Sequence, residues 1–285
     1  MEKPAAPVVS VVIPTYNQAE LLEKALRSVL DQTFHDWEVI VVDNFSTDNT
    51  RDIVEKFQDC RFRYLQCRNN GIIAASRNLG VKHSNGGYIA FLDSDDLWYP
   101  SKLSTALEYL SKGADAVCHG MWIRSDGNPM LKNIPQQPKG SFFEALLFLG
   151  NSIITTSTVV VKRDWLIHYD AFSEDPQIVT AEDYDLWLRL LKNNISWKVI
   201  PEVLGEYIIH GKNESKNIQR QMDAEEAVVL RYFNEMPSHS FGIQMRMKKR
   251  RMMIAFRAGK RAFDAGFFQK SIPFFMRGLT NIWSK

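Results

Sequence analysis

The run Tyr88-Ile89-Ala90-Phe91-Leu92-Asp93-Ser94-Asp95-Asp96 leads an apolar stretch straight into three carboxylates within four positions. Bounded by Asn85-Gly86-Gly87 and rich in aromatic and branched residues, Gly87–Leu92 has the pattern of a buried strand. Acids crowded at the C-terminal end of such a strand repel one another and are costly to bury uncompensated. A divalent cation removes that cost, because Mg2+ and Mn2+ prefer carboxylate oxygens and often share their shell with substrate phosphates. Ligands of open α/β sheets bind outside those same strand ends. The competing reading at this point is a solvated Asp-rich turn before the helix that follows Pro100.

Upstream of this run, strand and helix signals alternate. Val8–Ile13 is an apolar strand, Glu20–Leu30 an amphipathic helix, and Trp37–Val42 a second strand ending at Asp43. Thr47-Asp48-Asn49-Thr50 can cap a helix running to Phe57, Phe62–Gln66 is a short strand, and Ile73–His83 is helical. This order predicts an α/β fold with a mostly parallel central sheet flanked by helices.

Downstream the pattern is less regular. It predicts a helix over Lys102–Leu110, a strand over Ala114–Trp122, a turn at Ser125–Pro129, a helix over Phe142–Leu149 and a strand over Thr155–Lys162. A helix over Tyr184–Leu191 and two short strands on either side of Pro201 follow, and from Asp223 the chain reads as helical. The expected division is a catalytic domain over 1–220, with a nucleotide-binding half to about 100 and an acceptor-binding half beyond it, and a helical extension over 221–285.

Two more polar clusters close strands at the predicted sheet edge: Pro14-Thr15-Tyr16-Asn17 and Asp43-Asn44-Phe45-Ser46-Thr47-Asp48. A nucleotide can be held there, with Asp43 accepting from a base imide or a ribose hydroxyl and Tyr16 packing on the base. Asx-turns and helix caps use the same residue types. No glycine-rich phosphate loop follows the first strand, which argues against a dinucleotide oxidoreductase and a P-loop enzyme. Asn69-Asn70-Gly71 precedes the helix carrying Arg77, which can reach a pyrophosphate or remain an ordinary surface arginine. Thr180-Ala181-Glu182-Asp183-Tyr184-Asp185-Leu186-Trp187 is a second acidic site: Thr180 and Asp183 have capping-box spacing, while one carboxylate can equally be a general base. His210 follows a strand and beside a metal could complete its shell.

The chain has 285 residues, 45% hydrophobic and 24% charged, as in an ordinary globular protein. Three cysteines with no Cys-x-x-Cys pair favour a reducing compartment and argue against a thiolate metal site. Val8–Ile13 is too short for a signal-peptide core, and no apolar run approaches the ~20 residues needed to span a bilayer. Charge is uneven: residues 242–285 hold eleven Lys/Arg and one acid, while the preceding residues hold 24 basic against 32 acidic side chains.

Ser10-Val11-Val12-Ile13-Pro14-Thr15-Tyr16-Asn17, Glu38-Val39-Ile40-Val41-Val42-Asp43-Asn44, Ala75-Ser76-Arg77-Asn78-Leu79-Gly80, Phe91–Asp96 and Glu182–Trp187 occur in order. With these motifs the chain, over roughly residues 8–215, resembles a family 2 glycosyltransferase of the GT-A fold. The resemblance implies an inverting transfer from a nucleotide-diphosphate sugar, a UDP-sugar foremost, with Mn2+ or Mg2+. Asp93-Ser94-Asp95 would be the D-x-D element, with Asp95 the direct metal ligand, Asp93 near ribose or metal, and His210 a further metal or phosphate ligand. Asp43, Asn44, Gly71, Arg77 and Pro14–Asn17 would hold the nucleotide, and Asp183 would be the base. Thr156, Ser157, Glu182 and Trp187 are the candidate acceptor contacts. One departure is present: where the family often has an arginine two residues before the histidine, this chain has Ile208, although His210 and Ser215 remain.

The expected acceptor is a surface glycan or lipid-linked saccharide, and the expected location is the cytoplasm, peripheral at the inner membrane face. The basic tail reads as two short amphipathic helices, Met245–Ala258 and Phe267–Trp283, suited to an anionic membrane surface or to packing against the rest of the chain or a dimer partner. No recognised nucleic-acid module surrounds the basic run, so nucleic acid is not an expected partner. A sugar-nucleotide nucleotidyltransferase and a non-catalytic binding module on the same scaffold are the alternatives.

Overall fold

The computed structural model describes residues 6–125, 130–150, 154–210, 217–236 and 240–283. Strands are β1 (Val9–Thr15), β2 (Trp37–Asp43), β3 (Phe62–Gln66), β4 (Tyr88–Phe91), β5 (Leu97–Trp98), β6 (Ala116–Ser125), β7 (Leu131–Asn133), β8 (Val160–Lys162) and β9 (Trp197–Ile209). Helices are α1 (Ala19–Leu30), α2 (Thr50–Glu55), α3 (Ile73–His83), α4 (Lys102–Ser111), α5 (Phe142–Leu149), α6 (Arg163–His168), α7 (Glu182–Lys192), α8 (Ile218–Asn234), α9 (Phe241–Asp264) and α10 (Phe268–Trp283).

Two compact units are present. The first comprises Met1–Gln137, Ser152–Ser173 and Arg189–Gly211, and the second Pro138–Asn151, Glu174–Leu188 and Lys212–Lys285. The expected boundary near residue 220 therefore falls inside the second unit, which also takes two earlier segments.

The first unit is built on one sheet in the order β3-β2-β1-β4-β8-β6-β9-β5, with β7 paired to β6. Neighbours among β3, β2, β1 and β4 are parallel, as the alternating pattern predicts. Every residue of β1 and β2 is buried, which is why these strands read as continuous apolar runs. Ala19, Leu22, Ala25, Leu26 and Val29 form the inner face of α1. Gly80 lets α3 approach β1 so closely that a Cβ there would collide with Val12. Beyond β4 the sheet is mixed: β8 runs antiparallel to both β4 and β6, whereas β9 is parallel to β6.

Two local expectations are corrected. Thr155–Lys162 is not one strand; Thr156–Thr158 forms a 3-10 turn and only Val160–Lys162 joins the sheet. Pro201 does not divide the last strand, because register shifts in the β6–β9 pairing between His119/Gly120 and Gly120/Trp122 absorb it. The expected turn at residues 126–129 lies outside the described residues.

In the second unit α9 runs longer than expected, α10 keeps nearly its expected bounds, and the two are separated at Gly266, whose φ is +81°. Its arginines are largely engaged: Arg250 and Arg257 pair with Glu225, Arg251 and Arg277 with Glu226, Arg277 also with Asp223, and Arg246 with Glu144. Five of the tail's arginines are therefore held by acids of the same unit. Among the described residues no helix is long and apolar enough to cross a membrane.

Candidate active site

Three parallel strands of the first unit end at one edge, and the polar clusters meet there. At the end of β1, Asn17 takes a left-handed φ of 51° and its Oδ1 accepts from the Thr47 N–H at 2.8 Å. Asp48 in turn accepts from the N–H groups of Ala19 and Thr50, both at 3.1 Å, so one carboxylate caps the starts of α1 and α2. Pro14 and Thr15 lie in β1, whereas the Tyr16 side chain is 54% exposed beside them.

Asp43 is buried at the end of β2, where its carboxylate accepts from the Ser46 N–H and hydroxyl and from the Tyr64 hydroxyl at 2.6 Å. Asn44 accepts from the Asn69 N–H at 3.0 Å, and Asn69 accepts from the Gly71 N–H at 2.9 Å. Gly71 sits at φ +79°, a conformation a β-carbon would disfavour. Phe45 and Asn70 also have left-handed φ angles, 56° and 51°. Strained non-glycine residues gather at functional sites, and Phe45 is exposed beside the Asp43 end. Ser46 and Phe45 lie in the polar cluster after β2 without a role of their own in the sequence reading, and Tyr64 lies outside every cluster read from the sequence.

The carboxylate loop follows β4. Arg77 reaches it from α3 rather than facing solvent: its side chain is 5% exposed and its Nη2 donates to Asp93 Oδ1 at 2.8 Å. Ser94 donates to Gln18 Oε1 at 2.6 Å, tying the loop to the start of α1. Asp95 lies 2.9 Å from Nε2 of His210, which follows β9. Asp96 is fully buried and accepts from the Ser157 hydroxyl at 2.5 Å and the Ile208 N–H at 3.2 Å. Ser157 Oγ also accepts from the Asp93 N–H at 3.0 Å, and its carbonyl accepts from Trp98 Nε1 at 2.8 Å. Ser157 thus holds the carboxylate loop, and buried Thr156 beside it offers no exposed surface to an acceptor.

Burial and then the neighbouring Asp93 charge raise the pKa of Asp95; burial followed by the charges of Asp95 and Asp93 pushes Asp96 well above the usual carboxylate range. Such a site favours a cation. Carboxylate oxygen and imidazole nitrogen together suit Mn2+, and carboxylates suit Mg2+. Among the described residues no group of three His, Cys, Asp or Glu converges as a closed cage. The Asp95–His210 pair nevertheless supplies carboxylate and imidazole donors of the kind the implied metal takes.

The second acidic site belongs to the other unit. The capping-box reading of Thr180 and Asp183 does not form: Thr180 has φ 82°, its hydroxyl makes no hydrogen bond, and its N–H donates to Glu182 Oε2 at 2.7 Å. Glu182, Tyr184 and Asp185 are buried, whereas Asp183 is half-buried. Trp187 is fully buried and presents no surface to an acceptor, contrary to expectation. Ser215 lies outside the described residues.

A sequence profile described as Glycosyl transferase family 2 matches residues 10–169. A putative teichuronic acid biosynthesis glycosyltransferase of Bacillus subtilis (strain 168) is 34% identical over 215 residues, covering 74% of this chain and 82% of the relative. A UDP-Glc:alpha-D-GlcNAc-diphosphoundecaprenol beta-1,3-glucosyltransferase of Escherichia coli is 33% identical over 221 residues, covering 76% of this chain and 84% of the relative. Among solved structures, S. aureus TarS 1-349 in complex with UDP-GlcNAc matches with a TM-score of 0.70 at 20% identity, covering 95% of this chain and 79% of that one. The mannosyltransferase PcManGT from Pyrobaculum calidifontis, in complex with GDP-Man and Mn2+, matches with a TM-score of 0.64 at 18% identity, covering 99% and 89%. The fold is GT-A, and the chain belongs to glycosyltransferase family 2.

Proposed function

We propose that this glycosyltransferase moves a hexosyl or N-acetylhexosaminyl group from a UDP-sugar to a hydroxyl of a lipid-linked saccharide, with inversion, in the building of a cell-surface glycan. The observation that carries the reading is the contact of Asp95 with His210 beside Asp93, in a loop where burial and neighbouring carboxylate charge raise the pKa of Asp95 and Asp96. Support for the substrates comes from the E. coli relative, whose name gives a UDP-glucose donor and a diphosphoundecaprenol-linked acceptor, and from the B. subtilis relative named for teichuronic acid biosynthesis.

Asp95 and His210, with Asp93 close by, would hold Mn2+ or Mg2+, which when bound supplies positive charge to the leaving diphosphate. Tyr16 and Phe45 flank the base, and the Asp43–Tyr64 pair lines the nucleoside end. Asp183 takes the proton of the acceptor hydroxyl as its oxygen bonds to the anomeric carbon. The bond from that carbon to the phosphate oxygen breaks, and its electron pair leaves with the nucleoside diphosphate. A single displacement needs one base and no enzyme nucleophile, hence inversion.

The test is a screen of UDP-sugars for Mn2+-dependent protection against unfolding, beginning with UDP-glucose. At least one is expected to protect the wild type and not Asp95→Ala. Equal protection of both proteins by every sugar would remove the metal-bridged donor.

A second observation favours an anionic bilayer as the surface on which transfer occurs, at the cytoplasmic membrane face. Phe268, Ile272, Met276 and Leu279 form one exposed apolar arc along α10, continued by Phe263 and Phe267. Lys248, Lys249 and Lys270 lie on the same two helices, on which Asp264 is the sole acid of the sequence. Two copies meeting through this face would bring like charges together, whereas acidic headgroups match it. The wild type should sediment with phosphatidylglycerol-containing liposomes and Ile272→Ser/Met276→Ser should stay in the supernatant; equal sedimentation would reject this surface.

A further inference from the structure

Helices α8 and α9 reach the start of α7 through side-chain hydrogen bonds. All four residues in its first turn make hydrogen bonds: Asp183 Oδ1 accepts from the Tyr184 N–H at 2.6 Å, and the other three are held within the second unit. Glu182 accepts the Thr180 N–H. The Tyr184 hydroxyl donates to the Leu146 carbonyl at 3.0 Å and accepts from Arg250 Nη2 at 3.3 Å. Asp185 accepts from Arg231 Nη1 at 3.1 Å, and its carbonyl accepts from the Tyr232 hydroxyl at 3.0 Å.

Each partner is itself fixed. Arg250, with a fully buried side chain, donates through Nε to the Leu147 carbonyl at 3.0 Å and through Nη2 to Glu225 at 2.5 Å. Arg231 also holds Asp175 at 2.8 Å, on the chain that leads into α7. Tyr232 packs edge-on against Phe143 of α5. Arg250 therefore joins the C-terminal end of α5, helix α8 and helix α7 through one planar group, a geometry lysine cannot reproduce. Asp183 is the acid of that turn left half-buried, directly between two clamped neighbours.

We infer that α8 and α9 serve as a clamp that sets the position of Asp183, with Tyr232 and Arg250 as positioning residues for transfer. The inference rests on the assignment of Asp183 as base. It gives the C-terminal extension a role in the chemistry: residues 47 and 66 positions downstream of the motif determine where its carboxylate stands. Displacing a reacting group by about 1 Å costs on the order of 100-fold in rate.

The experiment uses the full chain with Tyr232→Phe, Arg250→Lys and Asp183→Asn. It reads transfer from UDP-glucose to diphosphoundecaprenol-linked GlcNAc, UDP affinity with Mn2+ by calorimetry, and amide exchange over residues 180–186. Tyr232→Phe and Arg250→Lys should lower kcat at least tenfold and speed exchange at 182–186 at least tenfold, leaving donor KM and UDP affinity within twofold. Wild-type kcat in both variants, or unchanged exchange, overturns the clamp. Loss of UDP affinity together with kcat also overturns it, since that is general destabilisation. Wild-type turnover in Asp183→Asn rejects the base assignment instead, and if no transfer occurs with this pair the exchange measurement alone decides the clamp. The milder Tyr232→Phe, which deletes one hydroxyl, carries the test if Arg250→Lys does not fold.

Discussion

The imidazole Nε2 of His210 lies 2.9 Å from Oδ2 of Asp95, although 115 positions separate the two residues. β9 delivers His210 to the carboxylate loop, and the hydrogen bond from the Ile208 N–H to Asp96 fixes that strand end against the loop. Both side chains are ligand types for Mn2+. Asp95→Asn and His210→Ala should each weaken Mn2+ binding at least tenfold in the presence of UDP, read by paramagnetic resonance of the free ion. Wild-type affinity in both variants would exclude the pair as ligands.

Ser157 Oγ donates to Asp96 and accepts from the Asp93 backbone. Ser157→Ala leaves the buried Asp96 carboxylate and the half-buried Asp93 N–H without these partners, at about 1–3 kcal/mol for the former and less for the latter. The unfolding midpoint should fall by several degrees, at about 2–4 °C per kcal/mol. Ser157→Thr, which keeps the hydroxyl, should recover part of the loss. A midpoint unchanged in Ser157→Ala would show that the loop is held by other contacts.

Lys102 and His119 are fully buried in the first unit, and neither Lys102 Nζ nor His119 Nε2 has a hydrogen-bond partner. Nζ stands 3.5 Å from the Trp98 ring centroid, which offsets only part of the desolvation of an ammonium. Burial pushes the pKa of Lys102 well down and that of His119 down to about 3 from 6.5. Both folded values lie below the unfolded ones, so the unfolded chain binds protons that the folded chain does not, and stability rises with pH. For His119 stability is lost as pH falls from 6.5 toward about 3, by up to about 1.4 kcal/mol per pH unit. Urea titrations should show a shallower acid slope in His119→Gln. Lys102→Met should raise the midpoint and flatten its climb below the unfolded lysine value of about 10.4; a lower midpoint at pH 7 would contradict the cost assigned to the buried amine.

The parallel part of the sheet was legible in the sequence because its signals are local. Apolar runs mark β1, β2 and β4, and turn residues after each strand mark the edge at which the polar clusters meet. The contacts that organise the site are not local, and so were hidden. Ser157 sits in a β-branched stretch that reads as a strand, yet the backbone turns there and points the hydroxyl at Asp96. Arg77 looked like a surface or phosphate group until α3 packed it onto Asp93. Thr180 and Asp183 have the spacing of a capping box, but a left-handed Thr180 prevents it. In the tail, composition records eleven basic residues and says nothing of Glu225, Glu226 and Asp223, which pair with four of them. Trp187 matched a motif whose pattern carries no information about which side of the helix faces inward.

The most direct measurement is the anomeric configuration of the product made from a UDP-α-linked hexose, read from the proton coupling of the new linkage. Transfer by one displacement, with Asp183 as base and no covalent sugar–enzyme intermediate, predicts a β-linked product. An α-linked product would contradict it.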